Sequence, residues 1–376
     1  MDMLTDIQRD NPEILADAQT KLSRVRGLMD SLKLDAVILT RRDQFAWVTC
    51  GGDGSVIECS EMSFGYLVIT PTAQYLVAHR MDGQRLLEEQ IPQQGYELVT
   101  LRWFDGNLLE HCRKLAGGGN IGCDAPVDGM KYIHSELVDL HYPMTAFEVV
   151  RCRWLGQATS EMMNHMADFI QPGQTEQEIA AEMRLEHILC GMDVDVMIVG
   201  SDERVFKYRH PMPTSKKLER YIMIHSSARK WGLHANVTRF IHFGTVPEQI
   251  RRIYHAAATI EGRILLRLAP GLPFPQILEW QKEWYREFGF VDEWHNHFQG
   301  GPTGYVIADP ARCLTSKVVQ VNQPYEWFIT ITGAKAGELT MLTENGAEVL
   351  SASPKWTEMI VTENQKSISV PDLLSK

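Results

Sequence analysis

Between Glu13 and Lys33, the residues Ile14, Leu15, Ala18, Leu22, Val25, Leu28, Met29 and Leu32 recur three and four apart. That is the spacing of one buried helix face. The apolar run over residues 34–40 then predicts a buried strand, so a helix feeds a sheet. Residues 66–70 and 73–78 read as two more strands, separated by the turn signal Pro71-Thr72. A second pass of helix (Leu108 to Leu115), glycine loop (Gly117 to Gly119) and strand (Asn120 to Asp124) completes an α/β pattern over residues 1–145.

From Ala146 the pattern changes to long helices. One runs from Val149 to Ile170 and stops at Pro172-Gly173; Thr175 and Glu178 then have the spacing of a capping box that starts another. About 100 residues later the same events return: a helix from Ile253 to Leu268, a stop at Pro270-Gly271, and an amphipathic helix from Pro275 to Phe288. Residues 222–226 and 233–241 predict a hairpin around Ala228 to Gly232, and Asn345-Gly346 marks a turn into a last strand. Two copies of helix, Pro-Gly and helix, each with strands, predict an internally duplicated α+β domain over residues 146–376. The polar tail Ser367 to Lys376 is expected to be loose.

Composition narrows the function classes. With 376 residues, 44% of them hydrophobic, the chain has material for two domains. Acidic residues number 48 against 37 basic ones, a net charge of -11, and they are scattered, so neither nucleic acid nor an anionic membrane is expected as partner. Seven widely spaced cysteines without a Cys-x-x-Cys pair read as reduced thiols of a cytoplasmic protein. Residues Met1 to Asp6 lack the start of a signal peptide, and no apolar run approaches the roughly 20 residues of a membrane span.

Three segments carry a resemblance: residues 170–180 (from Ile170-Gln171-Pro172-Gly173 to Ala180), Ala235-Asn236-Val237-Thr238-Arg239, and residues 343–350 (Thr343-Glu344-Asn345-Gly346 to Leu350). In that order, with the duplication between them, they resemble the creatinase, prolidase and aminopeptidase P superfamily over residues 146–352, with a weaker match of the N-terminal domain. The resemblance implies a pita-bread fold behind an α/β domain, and a homodimer. It also implies a cleft in which active peptidases hold two metal ions with two aspartates, a histidine and two glutamates. Carried over singly, those positions fall on His225, Asn236, Gly301, Thr332 and Gly337, so no metal and no cofactor is expected. Glu338 lies one residue from the last position, and a one-residue slip turns a strand side chain to the other face.

Creatinase, as a metal-free member, implies a role for a histidine upstream of the first ligand strand. The matching residue is His210, in a His-x-x-Pro-Thr pattern. Near its usual pKa an imidazole can take and return a proton, so His210 is the candidate acid/base, the alternative being packing in a Pro-rich loop. If residues 222–226 and 233–241 pair, His234 and Asn236 share a face and His225 lies opposite. His295 and His297 are expected on one strand face before the Gly300 loop. His225, His234, Asn236, Arg239, His297 and Thr332 are therefore the candidate substrate contacts, Arg239 either anchoring a carboxylate or tying strands. The expected function is metal-independent hydrolysis of a C–N bond in a small zwitterionic or carboxylate-bearing molecule. A non-catalytic binding homologue and an Xaa-Pro-type peptidase with a rebuilt mononuclear site are the alternatives.

Overall fold

The computed structural model describes residues 11–309, 312–353 and 355–376; the expectation for Met1 to Asp6 lies outside them. The chain forms two compact units, Met1–Phe147 with Trp231–Leu233, and Glu148–Lys230 with His234–Lys376. The division falls two residues past the boundary expected at 145.

In the first unit the helix Pro12–Leu32 is capped by Asn11, whose side chain accepts from the Glu13 N–H at 2.8 Å. It leads into β1 (Ala36–Arg41), followed by β2 (Met62–Ile69), β3 (Gln74–His79), β4 (Glu97–Leu101), β5 (Ile121–Cys123) and β6 (Lys131–Tyr132). These make one mixed sheet in the order β4-β3-β2-β1-β5-β6. Central β1 is antiparallel to β2 and parallel to β5, and it is buried along most of its length. Strands covered on both faces read as continuous apolar runs, which is why residues 34–40 were legible.

In the second unit the helices Ala146–Phe169 and Glu176–Leu189 precede β7 (Asp193–Ser201), β8 (Tyr221–Lys230) and β9 (Leu233–His242). The capping box is present in full: the Glu178 N–H donates to Thr175 Oγ1 at 3.1 Å and the Thr175 N–H to Glu178 Oε2 at 2.7 Å. The second pair of helices, Glu248–Arg267 and Phe274–Glu287, precedes β10 (Gly301–Pro302), β11 (Gln323–Glu326), β12 (Ile329–Ile331), β13 (Ala334–Ala336), β14 (Leu339–Thr343) and β15 (Gly346–Val349). Each half has its own core. Met163, Met166, Ile179 and Met183 of the first helices pack on Ile222, Ile224 and Val237, and Ile260, Ile264, Ile277 and Trp284 of the second pack with Tyr325, Trp327 and Ile329. The long helix of each half carries one glycine where another segment passes. A Cβ on Gly156 would lie 2.7 Å from the Leu350 carbonyl oxygen, and one on Gly262 2.6 Å from Val361.

Two expectations need correction. The β8–β9 turn is the two-residue Trp231-Gly232, both at positive φ, so the strands run longer than the five-residue turn expected. The tail is ordered: β17 (Lys366–Pro371) pairs with β16 (Glu358–Glu363), and β18 (Leu374–Ser375) adds parallel to β9. Val370 and Leu373 bury the apolar positions of that polar-looking segment. No helix among the described residues is long and apolar enough to cross a membrane.

Candidate active site

The loop carrying His210 is pinned from below. Glu176, at the start of the capped helix, is fully buried. One of its oxygens accepts from the N–H and hydroxyl of Ser201, and the other from the N–H and hydroxyl of Thr214, at 2.7–3.0 Å. Arg204 joins the same carboxylate and donates to the Met212 carbonyl at 2.7 Å. Pro211 lies flat on Gly200, where a Cβ would come within 2.2 Å of its ring. His210 is thereby held in place although its own side chain is exposed.

His210 Nε2 lies 3.1 Å from His297 Nε2, and His297 Nδ1 lies 2.5 Å from the Phe298 carbonyl. A carbonyl only accepts, so His297 carries its proton on Nδ1 and presents the Nε2 lone pair. His210 must then donate from Nε2, which leaves the lone pair on His210 Nδ1. Both rings are biased to neutrality. Burial, followed by the charge of Lys335, pushes His297 down to about 4 and lowers His210.

Deeper in, His225 of β8 pairs its Nδ1 with Thr238 Oγ1 of β9 at 2.9 Å. Its pKa lies well below the usual value because it is buried, with Lys335, His210 and His297 adding to the effect. The Asn236 backbone N–H donates to one oxygen of Glu326 at 2.6 Å and its side-chain amide to the other oxygen. Glu326 is buried on β11, opposite Gly301 of β10, and burial pushes its carboxyl up to about 8. Lys335 of β13 is 3% exposed, and burial, opposed by the charge of Glu326, takes its amine down to about 7. Its Nζ sits 4.7 Å from the Phe328 ring centroid and has no hydrogen-bond acceptor among the described residues. At the rim Arg209 Nη2 donates to Glu293 and to Thr332 Oγ1, whereas the buried Nη1 finds no partner among the described residues. Burial works to raise the Glu293 carboxyl, but the hydrogen bonds of Thr332 and Arg209 hold it below its usual value.

The structure thus brings together His210, His225, Asn236 and His297, and separates the other expected members. Thr332 is exposed and belongs to the Arg209–Glu293 pair, not to the neighbourhood of Asn236. The five carried-over positions hold no carboxylate, yet Glu326, which is not one of them, lies beside Asn236. Arg239 is not a cleft residue: it is fully buried, pairs with Glu338 and donates to the carbonyls of Thr238 and Ser351 at 2.8 and 3.0 Å. Of its two readings, tying strands is the one realised, and Glu338 is its counter-ion. His234 has both nitrogens taken, by the Gly304 carbonyl at 2.8 Å and Asp195 at 2.9 Å, so it fastens strands and offers no free nitrogen to a ligand. His295 lies in a 3-10 turn (Glu293–Asn296) and is exposed, because the segment is not the strand that period-two reasoning required.

Residues reachable only through the fold are Arg209, Glu293, Glu326 and Lys335. The available signals were a single lysine between Ala334 and Ala336 in an otherwise apolar strand region, and a glutamate between Tyr325 and Trp327. Neither spacing says which cleft it enters.

The superfamily's two metal ions do not fit this donor set. Gly301 has no room for a histidine, since a Cβ would sit 2.4 Å from Cys313 Sγ, and a Cβ added to Gly337 would meet Thr238 Oγ1 at 3.2 Å. Asn236 offers an amide and occupies both oxygens of Glu326, the only acid there among the described residues. A dication beside Glu326 would also be repelled by the Lys335 amine, whose charge acts on that carboxyl. Among the described residues, the ligand atoms of His165, Glu182 and Glu186, on the first helix pair, lie within 4.8 Å of one another, away from this cleft.

Residues 151–319 match the model of metallopeptidase family M24. The chain is 23% identical over 383 residues to a protein described as probable dipeptidase PepE of Mycobacterium tuberculosis, covering 89% of this chain and 99% of that one. It is 21% identical over 216 residues to an uncharacterised peptidase of Staphylococcus haemolyticus, covering 54% of this chain; the match spans 61% of that relative's length. Among solved structures, an Xaa-Pro dipeptidase from Bacillus anthracis superposes with a TM-score of 0.75 at 19% identity, covering 96% of this chain and 100% of that one. At such identity the likeness carries the two-domain pita-bread fold and no substrate.

Proposed function

We propose, for a chain that belongs to the creatinase, prolidase and aminopeptidase P superfamily, a hydrolase that cleaves a C–N bond without metal in a small carboxylate-bearing substrate, with His210 as acid/base. The observation that carries it is the His210–His297 pair, whose tautomers leave a lone pair on His210 Nδ1 at the mouth of the cleft. His210 Nδ1 takes a proton from water as the water oxygen attacks the carbonyl carbon, and the imidazolium returns it to the departing nitrogen. His297 holds the ring through the Nε2–H of His210, as a positioning residue. His225, with its Nδ1 tied to Thr238, lines the inner wall of the same cleft. The misfit of the donor set supports the metal-free reading. The seven free cysteines are consistent with a reducing cytoplasm, and we propose a homodimer, which light scattering tests.

The test is a screen of cyclic and linear N-substituted amino acids with wild type and His210→Ala, alongside metal analysis of the purified protein. Turnover by wild type, lost in His210→Ala and insensitive to chelator, is the expected result. Turnover unaffected by His210→Ala removes the role of that residue, and ligand binding without turnover assigns the cleft to capture rather than catalysis. Two equivalents of tightly bound manganese, cobalt or zinc overturn the metal-free reading.

A further inference from the structure

Lys335 is the least expected side chain of the second unit. Its strand is short and apolar, its residue is buried, and its amine reaches no hydrogen-bond acceptor among the described residues. Glu326 is the acid that acts on it, but both oxygens of Glu326 already accept from Asn236. An amine buried without an acceptor is a standing cost that an apolar residue would remove. A second cationic donor in the same cleft is also unsatisfied: Arg209 Nη1 is buried and has no partner among the described residues, while its Nη2 is held by Glu293 and Thr332. Both charges act on His297, the partner of His210; Arg209 precedes His210 in the chain, and Lys335 Nζ and the His297 ring both lie against Phe328. The open side of the cleft is the exposed His210 itself.

We propose that Lys335 Nζ and Arg209 Nη1 form the anion seat of this cleft and that it takes the carboxylate of a small acid. The inference rests on the reading of the cleft as a substrate site and adds the residues that choose the substrate. A carboxylate supplies the acceptors that both donors lack, and a planar group suits the guanidinium fork. It also gives the Lys335 amine a reason to hold its proton: burial drives that amine toward neutrality, and an anion at Nζ reverses this. The groups that act on Lys335 or feel its charge are Glu326, His210, His225 and His297. Of these only Glu326 can turn negative, and Asn236 holds its oxygens. In place of two dications balanced by carboxylates, the cleft carries an amine and a guanidinium N–H that lack acceptors among the described residues.

The probe is N-trifluoroacetylglycine, with its uncharged glycinamide counterpart as control, observed by fluorine NMR line broadening on the full chain. Wild type is expected to bind the acid in preference to the amide, and Lys335→Met to lose roughly tenfold or more of that affinity. Arg209→Gln is expected to weaken the acid and leave the amide unchanged. Lys335→Met should melt no lower than wild type, because it removes a buried amine and keeps the side-chain length, so lost binding is not lost folding. Equal binding of acid and amide by wild type, or undiminished preference in Lys335→Met, overturns the proposal. Tighter binding of the trifluoroacetylated triglycine moves the carboxylate to a peptide C-terminus and overturns the small-acid form. Hydrolysis is read separately, as a new trifluoroacetate resonance. Its absence with the acid preference intact counts against the hydrolase and supports the anion seat.

Discussion

Arg239→Leu separates the two readings that the Thr-Arg motif allowed. The guanidinium has no exposure and Glu338 is 2% exposed, so removing the cation leaves a carboxylate buried. Glu338 would keep the Ser351 hydroxyl at 2.6 Å, but the carbonyls of Thr238 and Ser351 would lose their donor. Glu261 accepts from the Glu338 backbone N–H at 3.0 Å, and burial, followed by the charge of Glu338, holds its own carboxyl well above the usual range, so it cannot replace the lost cation. Breaking such a pair from one side costs roughly 3–5 kcal/mol, a large part of the stability of an ordinary domain. Burial already raises the Glu338 carboxyl, with Arg239 opposing, so the variant raises it further. A raised carboxyl keeps a proton that the unfolded chain gives up, so the deficit grows as pH rises. Urea titrations followed by tryptophan fluorescence, at about pH 5 and about pH 8, read both effects. The double variant Arg239→Leu/Glu338→Leu should recover most of the loss, because it removes the stranded charge. A midpoint equal to wild type in Arg239→Leu, together with lost binding of the carboxylate probe, would refute the structural assignment and return Arg239 to the ligand.

Three further outcomes are open to measurement. Glu326 has a folded pKa of about 8 against an ordinary 4.5, so stability should fall as pH rises between those values, and Glu326→Gln should flatten that slope in thermal melts; parallel slopes would count against the buried acid. Because His210 acts as a neutral base with a lowered pKa, activity should disappear only as pH drops below the usual histidine range, and His210→Ala should cost roughly 10²–10⁴ in rate; an acid limb above 6.5 in the rate profile would contradict this. Gly301→His should destabilise by roughly 1–3 kcal/mol through its clash with Cys313 and should not restore metal uptake, as read by melting and metal analysis; tight metal binding by that variant would show that the donor set was one residue short.

The long helices, their stops and several of the turns were legible in the sequence, in order, whereas the paired tail and the 3-10 turn at His295 were not. The apolar spacings of residues 13–33, the Pro-Gly stops at 172 and 270, the Thr175 capping box and the Asn-Gly turn at 345 are local signals, and each reappears as a helix, stop, cap or turn. His210 and His297 were legible as candidates because they sit beside readable loop patterns. The tertiary structure alone decided which polar side chains meet. Arg239 and Lys335 are both basic residues in buried strands, yet one is tied to Glu338 and the other reaches no acceptor among the described residues. Thr332 and Glu326 are six positions apart, and pairing across β10 and β11 gave the inner place to the glutamate. Periodicity states which face a strand residue takes, but burial, partners and pKa depend on what the opposing strands bring to that face, and those come from residues 90–100 positions away.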